Sequence, residues 1–148
     1  MKKLFFIVLL CFVTLYTNAQ YVDLGLPSGT RWKSQNESGD FYSYDEAAAK
    51  FGNKLPAMWQ WNELKDNCTW SWTGSGYTIS GKNGNSIYLP TTGCRTPSGH
   101  IKGMADRGFY WTFTPSGLDG VLLFFFNSSD IRVNEDSKGG GCAVRLIK

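Results

Sequence analysis

The sequence predicts an α+β domain with a mainly antiparallel sheet. Two short helical patterns come early in the chain, and a run of segments with strand-like alternation follows them, the order expected when helices and strands segregate. Aromatic residues make up 16% of the composition and there are 17 glycines in 148 residues, which favours short strands joined by tight turns.

The chain begins with Lys2 and Lys3, an apolar run from Leu4 to Val13, and the small residues Thr17-Asn18-Ala19, the pattern of a secretory signal peptide over residues 1–19. The apolar run is shorter than the roughly 20 residues a bilayer-spanning helix needs. A single domain over residues 20–148 is therefore expected, exported to the periplasm, the cell surface or the extracellular space. Cys11 falls within the leader.

Tyr21-Val22-Asp23-Leu24 alternates, Gly25-Leu26-Pro27-Ser28-Gly29 reads as a turn, and Thr30 to Gln35 alternates again, an opening pair of strands. Ser43 followed by Glu46, the alanines 47–49 and a closing Gly52 predict a helix of about two turns with a capping box. Met58 to Asn67 is a second helix, with Trp61 and Leu64 at a helical interval facing the core. Thr69 to Thr73 alternates as a strand. Tyr77 to Ser80 and Ser86 to Pro90 flank the glycine- and asparagine-rich turn Gly81 to Asn85, the strongest hairpin signal in the chain. Thr92 to Arg95 is a short strand, and a polar loop then runs to Gly108. Three strands follow at Phe109 to Phe113, Gly120 to Asn127 and Cys142 to Ile147. The run Val121 to Phe126 has no polar residue, which predicts a central strand covered on both faces.

Charge narrows the function. Loss of Lys2 and Lys3 lowers the formal net charge from +3 to +1 and leaves no basic cluster to follow a phosphate backbone, which disfavours a nucleic-acid partner. The single histidine, His100, cannot supply the paired ligands of a catalytic transition-metal site, and its polar, glycine-flanked surroundings read as a solvent-facing loop. Cys68, Cys94 and Cys142 remain after the leader, enough for one intramolecular bridge and an odd thiol.

Taken in order, Tyr21 to Trp32, Leu55-Pro56 leading to Trp61-Asn62-Glu63-Leu64, Asn67 to Trp72, Asn83 to Pro90, Phe109 to Thr112 and Gly141 to Arg145 form a recognisable series. On these residues the chain resembles the Fibrobacter succinogenes major paralogous domain family, common in exported proteins of Bacteroidetes. The resemblance implies a C-type-lectin-like fold: N- and C-terminal strands brought together, two helices, and long loops presented from a small sheet. Cys94 and Cys142 stand where that family usually has aromatic or small residues, which suggests a mutual bridge. It would close a loop of nearly fifty residues, worth about 4 kcal/mol in the chain-entropy model, and leave Cys68 as a buried free thiol. Cys68 with Cys94 or with Cys142 are the competing pairs.

The fold hosts sugar binders, protein binders and some enzymes, so activity has to be argued from the site. Neither tripeptide pattern used by calcium-dependent lectins of this fold occurs here. Asp130 and Asn134-Glu135-Asp136 offer oxygens to calcium, which is not favoured, and no other cofactor is expected. The leading expectation is a non-catalytic module that binds a glycan or a cell-surface protein through the loops Thr96 to Arg107, Pro115 to Asp119 and Ser128 to Gly140. Within or beside them Arg95, His100, Lys102, Asp106, Arg107, Asp130 and Arg132 offer hydrogen bonds. Tyr110 or Trp111 would stack on a sugar ring, since alternation buries one of the two and exposes the other. The alternatives are a structural or adhesive surface component and a hydrolase using Asp106 and Asp130 as paired carboxylates.

Overall fold

A computed structural model describes residues 20–39 and 41–148, so the expected leader, residues 1–19, lies outside the described residues. Among the described residues ten strands, two α-helices and a single 3-10 turn at Gly52–Lys54 follow in chain order, an α+β architecture of small antiparallel sheets.

Strands β1 (Tyr21–Asp23) and β2 (Arg31–Lys33) pair antiparallel. The intervening turn is pinned to the second helix, because Ser28 donates from both its backbone N–H and its hydroxyl to the Glu63 carboxylate, at 2.8 and 2.6 Å. Helix α1 (Tyr44–Phe51) starts at the predicted capping box. The Ser43 hydroxyl accepts from the Glu46 N–H at 3.2 Å, and the Glu46 carboxylate accepts from the Ser43 N–H at 2.9 Å. Helix α2 (Met58–Asn67) buries Trp61 and Leu64, as the spacing predicts.

Strands β3 (Thr69–Trp72), β4 (Gly76–Ser80) and β5 (Ser86–Pro90) form a meander in the order β3-β4-β5. The turn between β4 and β5 is also a tertiary fastener: the amides of Asn83 and Asn85 both donate to the Asp23 carbonyl, at 2.9 and 2.8 Å. Gly81 is required there, since a Cβ would lie 2.0 Å from the Leu24 carbonyl oxygen.

Strand β6 (Cys94–Arg95), inside the predicted strand Thr92 to Arg95, makes a small hairpin with β7 (Ile101–Lys102), which lies in what the sequence suggests is a continuous loop to Gly108. Strands β8 (Gly108–Ser116), β9 (Gly120–Phe126) and β10 (Ile131–Ser137) form the main sheet in the order β10-β9-β8. The expected Ser128 to Gly140 loop is thus corrected to a turn, a seven-residue edge strand and a second turn. Its apolar positions, Ile131 and Val133, alternate for only the first few residues before the strand turns wholly polar on an exposed edge, so periodicity is weak.

The main sheet separates two cores. Phe124 and Phe126 of β9 and Tyr110 of β8 face one, with Trp32, Trp61, Leu64, Ile79 and Leu89. Val121, Leu123 and Phe125 of β9 and Trp111 of β8 face the other, with Ala47, Leu55 and Val144. The central, doubly covered placement of Val121 to Phe126 is what the sequence predicts. The first core is built on aromatic contacts: Trp61 stacks on Phe124 with ring centroids 4.3 Å apart and planes 9° from parallel, and Trp32 lies 4.6 Å from Trp61. The buried indole N–H groups of Trp32 and Trp61 have no acceptor among the described residues, so both side chains act here as apolar plates.

The expected final strand, Cys142 to Ile147, is extended and buried throughout but pairs through single bridges, not a ladder. Successive residues turn to different partners: Gly141 to Arg95, Cys142 to Tyr42, Ala143 to Tyr110 and Ile147 to Trp32. Arg31 and Lys148 exchange backbone bonds at 3.0 and 2.9 Å, so the first strand pair and the end of the chain lie side by side.

Two expectations follow. Phe124→Ala removes the plate under Trp61 and should cost about 3–5 kcal/mol in urea unfolding. Ser43→Ala should cost about 1 kcal/mol through loss of the α1 cap, and a neutral result would show that the cap contributes nothing.

Candidate functional site

The segment 34–42, between β2 and α1, lines three adjoining hollows. The first, of about 270 Å³, lies between Ser34, Gln35 and Asn36 and the end of β5 at Tyr88 and Pro90, with Arg145 in its lining. The second, about 420 Å³, shares Asn36 and Pro90 with the first and is bounded by Phe41, Ile101, Met104 and Ala143. The third, about 510 Å³, shares Gly39 and Phe41 with the second and reaches Glu46 and Lys50 on α1. Neighbouring hollows share lining residues and so follow one another along a shallow groove open to solvent, and the two larger ones fall in the size range of ligand sites.

The groove wall is held by its own backbone and by the core beneath it. Ser34 N–H donates to the Gln20 carbonyl at 2.8 Å and Glu37 N–H to that of Val144 at 2.9 Å. Tyr42 exchanges two 3.0 Å bonds with Cys142, and the Trp111 indole donates to the Tyr42 carbonyl at 2.7 Å. Lys33 pairs with Glu37, and the Tyr42 hydroxyl donates to the Ser38 carbonyl. A loop tied at so many points loses little further freedom on binding.

Arg145 is the charged group beneath the groove, only 1% exposed. Its guanidinium donates to the Asn36 side-chain oxygen at 2.7 Å and to the carbonyls of Lys33 and Tyr88 at 2.9 and 2.8 Å. Burial pulls its pKa below the usual value, and the neighbouring Tyr110 hydroxyl opposes that shift. The Tyr110 hydroxyl donates to the Pro90 carbonyl at 2.7 Å and accepts from the Asn36 amide at 3.1 Å; burial pushes its pKa far up, so it stays neutral. Asn36 therefore joins Arg145, Tyr110 and the groove surface in one network.

The residues singled out from sequence are dispersed. Arg95, His100 and Lys102 lie on or beside the β6-β7 hairpin, where the Ser98 hydroxyl and His100 Nδ1 are 3.0 Å apart. Asp106 and Arg107 form an exposed pair at 3.6 Å just before β8. Asp130 pairs with Arg132, whose guanidinium lies 4.9 Å over the Phe125 ring. Gly108, Phe126 and Ile131 stand in one row of the sheet, so the strand starts that follow Asp106 and Asp130 lie two strand spacings, about 10 Å, apart. Each carboxylate is engaged by an arginine close to it in sequence. Among the described residues no group of three or more His, Cys, Asp or Glu is arranged to hold a metal ion.

Two corrections follow from the register. The turns Pro115 to Asp119 and Ser128 to Asp130 lie at opposite ends of β9, about 20 Å apart, so the three loops do not form one ligand face. Neither Tyr110 nor Trp111 is available for stacking: they are 0% and 1% exposed, because the main sheet is covered on both faces and strict alternation here selects between two cores instead of core and solvent. The expected Cys94–Cys142 bond is not formed in the structure; Cys68, Cys94 and Cys142 are free thiols, the last two buried.

The groove residues Asn36, Phe41, Tyr88 and Arg145 are not among the sequence-predicted set. One signal was present: ten residues without periodicity between β2 and α1 exceed the usual connection of about 4–6 residues. Among the described residues no helix is long and apolar enough to cross a membrane.

Trp111→Ala should act on folding and not on a ligand, lowering stability by about 3–5 kcal/mol in denaturant titration; an unchanged midpoint would return Trp111 to the surface. Comparison with protein-family models, curated proteins and solved structures finds no match to this chain.

Proposed function

We propose that this chain is an exported, non-catalytic binding module of C-type-lectin-like architecture that holds a glycan in the groove along residues 34–42. The observation that carries this reading is the groove itself: three joined hollows on a backbone fixed by the core, lined by side-chain amides, carbonyls and aromatic rings. Sugar rings present hydroxyls and an apolar face together, and such a lining offers partners to both. Phe41, Tyr42 and the 38%-exposed Tyr88 are the rings within reach, in place of Tyr110 and Trp111. The β1-β2 pair beside residues 146–148, the two helices and the small sheets support the lectin-like reading and, with it, the resemblance to the major paralogous domain family.

A protein ligand is the second reading. It is favoured by Ile101 and Met104, both more than half exposed at the groove edge, which suit an apolar side chain better than a sugar.

The test is retention of the purified protein on a broad glycan panel, with calcium and with chelator. Phe41→Ala and Tyr88→Ala should each weaken retention by roughly tenfold, about 1.4 kcal/mol, with an unchanged far-ultraviolet spectrum. Asp106→Ala should leave it intact. Retention abolished by Asp106→Ala but not by Phe41→Ala would move the site to the β6-β7 side. Failure on every glycan would discard the sugar reading, and chelator sensitivity would show that calcium takes part.

A further inference from the structure

Arg95 and Gly141 form a mutually hydrogen-bonded antiparallel pair, each N–H donating to the other's carbonyl at 2.8 Å. Cys94 precedes Arg95 and Cys142 follows Gly141, so continuing this isolated bridge by one residue brings the two cysteines, free thiols in the structure, opposite each other at a position without backbone hydrogen bonds between them. At such positions the Cα atoms approach to about 4.5 Å and the side chains are at their closest. That separation falls within the roughly 4.4–6.8 Å of natural disulfides. Both side chains enter the same core, beside Trp111, Val121, Leu123 and Phe125.

We propose that Cys94 and Cys142 are a cross-strand disulfide site, oxidised as the chain folds in the presence of a small-molecule or protein disulfide. Cys94 and Cys142 are only 7% and 3% exposed, so an oxidant reaches them before the core closes. Burial, and for Cys142 the nearby Cys94, holds the thiols above their ordinary pKa, which makes them poor nucleophiles once buried. With oxidised glutathione as the co-reactant, one cysteine thiolate attacks the glutathione disulfide, forming a mixed disulfide and releasing one glutathione thiol. The second cysteine thiolate then displaces the other glutathione. Two protein thiols become one disulfide, and one glutathione disulfide becomes two thiols carrying the cysteine protons. The bond joins β6 to the segment that backs the groove at Tyr42 and Ala143, and so fastens the hairpin that contributes Ile101. The inference holds whatever ligand the groove takes.

The experiment refolds the reduced, denatured full chain in a glutathione redox buffer, then blocks free thiols with N-ethylmaleimide in denaturant without reductant and maps peptides by mass spectrometry. The expected result is a Cys94 peptide linked to a Cys142 peptide, with Cys68 alkylated. Cys68→Ser should retain the link, and reductant should lower its melting temperature by roughly 10 °C. Cys94→Ser should abolish that sensitivity; if it does not fold, the Cys68→Ser map decides alone. Alkylation of both Cys94 and Cys142, or a link from either to Cys68, overturns the proposal.

Discussion

From Leu123 to Phe126 strand β9 is buried on both faces, and the rest of the structure is arranged around that constraint. Val121 to Phe126 places Phe124 and Phe126 on one side and Val121, Leu123 and Phe125 on the other, so both sides of the sheet must be covered. Helix α2 covers the first with Trp61, laid flat on Phe124. Helix α1 and the Leu55 turn cover the second through Ala47, Tyr44 and Leu55. Strand β8 has to accommodate the same division, which is why Tyr110 and Trp111, adjacent in sequence, are buried in different cores. Gly108, paired with Phe126, is where β8 passes closest under a β9 ring: a Cβ there would lie 2.2 Å from it.

The second organising element is the end of the chain. Residues 141–148 thread between elements distant in sequence, bonding in turn to Arg95, Tyr42, β8, Glu37, β2 and Lys54. Arg145 sits at the middle of this segment, its charge spread over three oxygen acceptors and no carboxylate. Removing such a group would leave buried acceptors unpaired, so its position is fixed as firmly as that of an apolar core residue. Because the acceptors belong to Lys33, Asn36 and Tyr88, this buried cation also sets the shape of the groove above it. The surface that offers a ligand site is thus the outer side of the network that closes the fold.

The charged residues that look most functional in sequence occupy less constrained places. Asp106 with Arg107, and Asp130 with Arg132, are local ion pairs on exposed turns and an edge strand, contributing little to stability. They are consistent with solubility and with protection of the β10 edge against pairing. The groove draws instead on Asn36, Phe41 and Tyr88, uncharged residues whose significance depends on what lies behind them.

The sequence by itself determined the local elements. The Ser43–Glu46 cap, the Trp61 and Leu64 interval, the β4-β5 hairpin and the two-sided β9 all follow from interactions within a few residues or from periodicity, which the chain carries whatever its tertiary context. What lay beyond it were the pairings between distant segments. Alternation shows that Tyr110 and Trp111 point opposite ways, but only the second core shows that neither direction leads to solvent. The C-terminal segment reads as a strand, yet its single bridges to four partners arise because no neighbour stays alongside it long enough to form a ladder. The groove was equally illegible, since segment 34–42 has no pattern of its own and takes its conformation from Arg145, Trp111 and Cys142, residues some seventy to more than a hundred positions away.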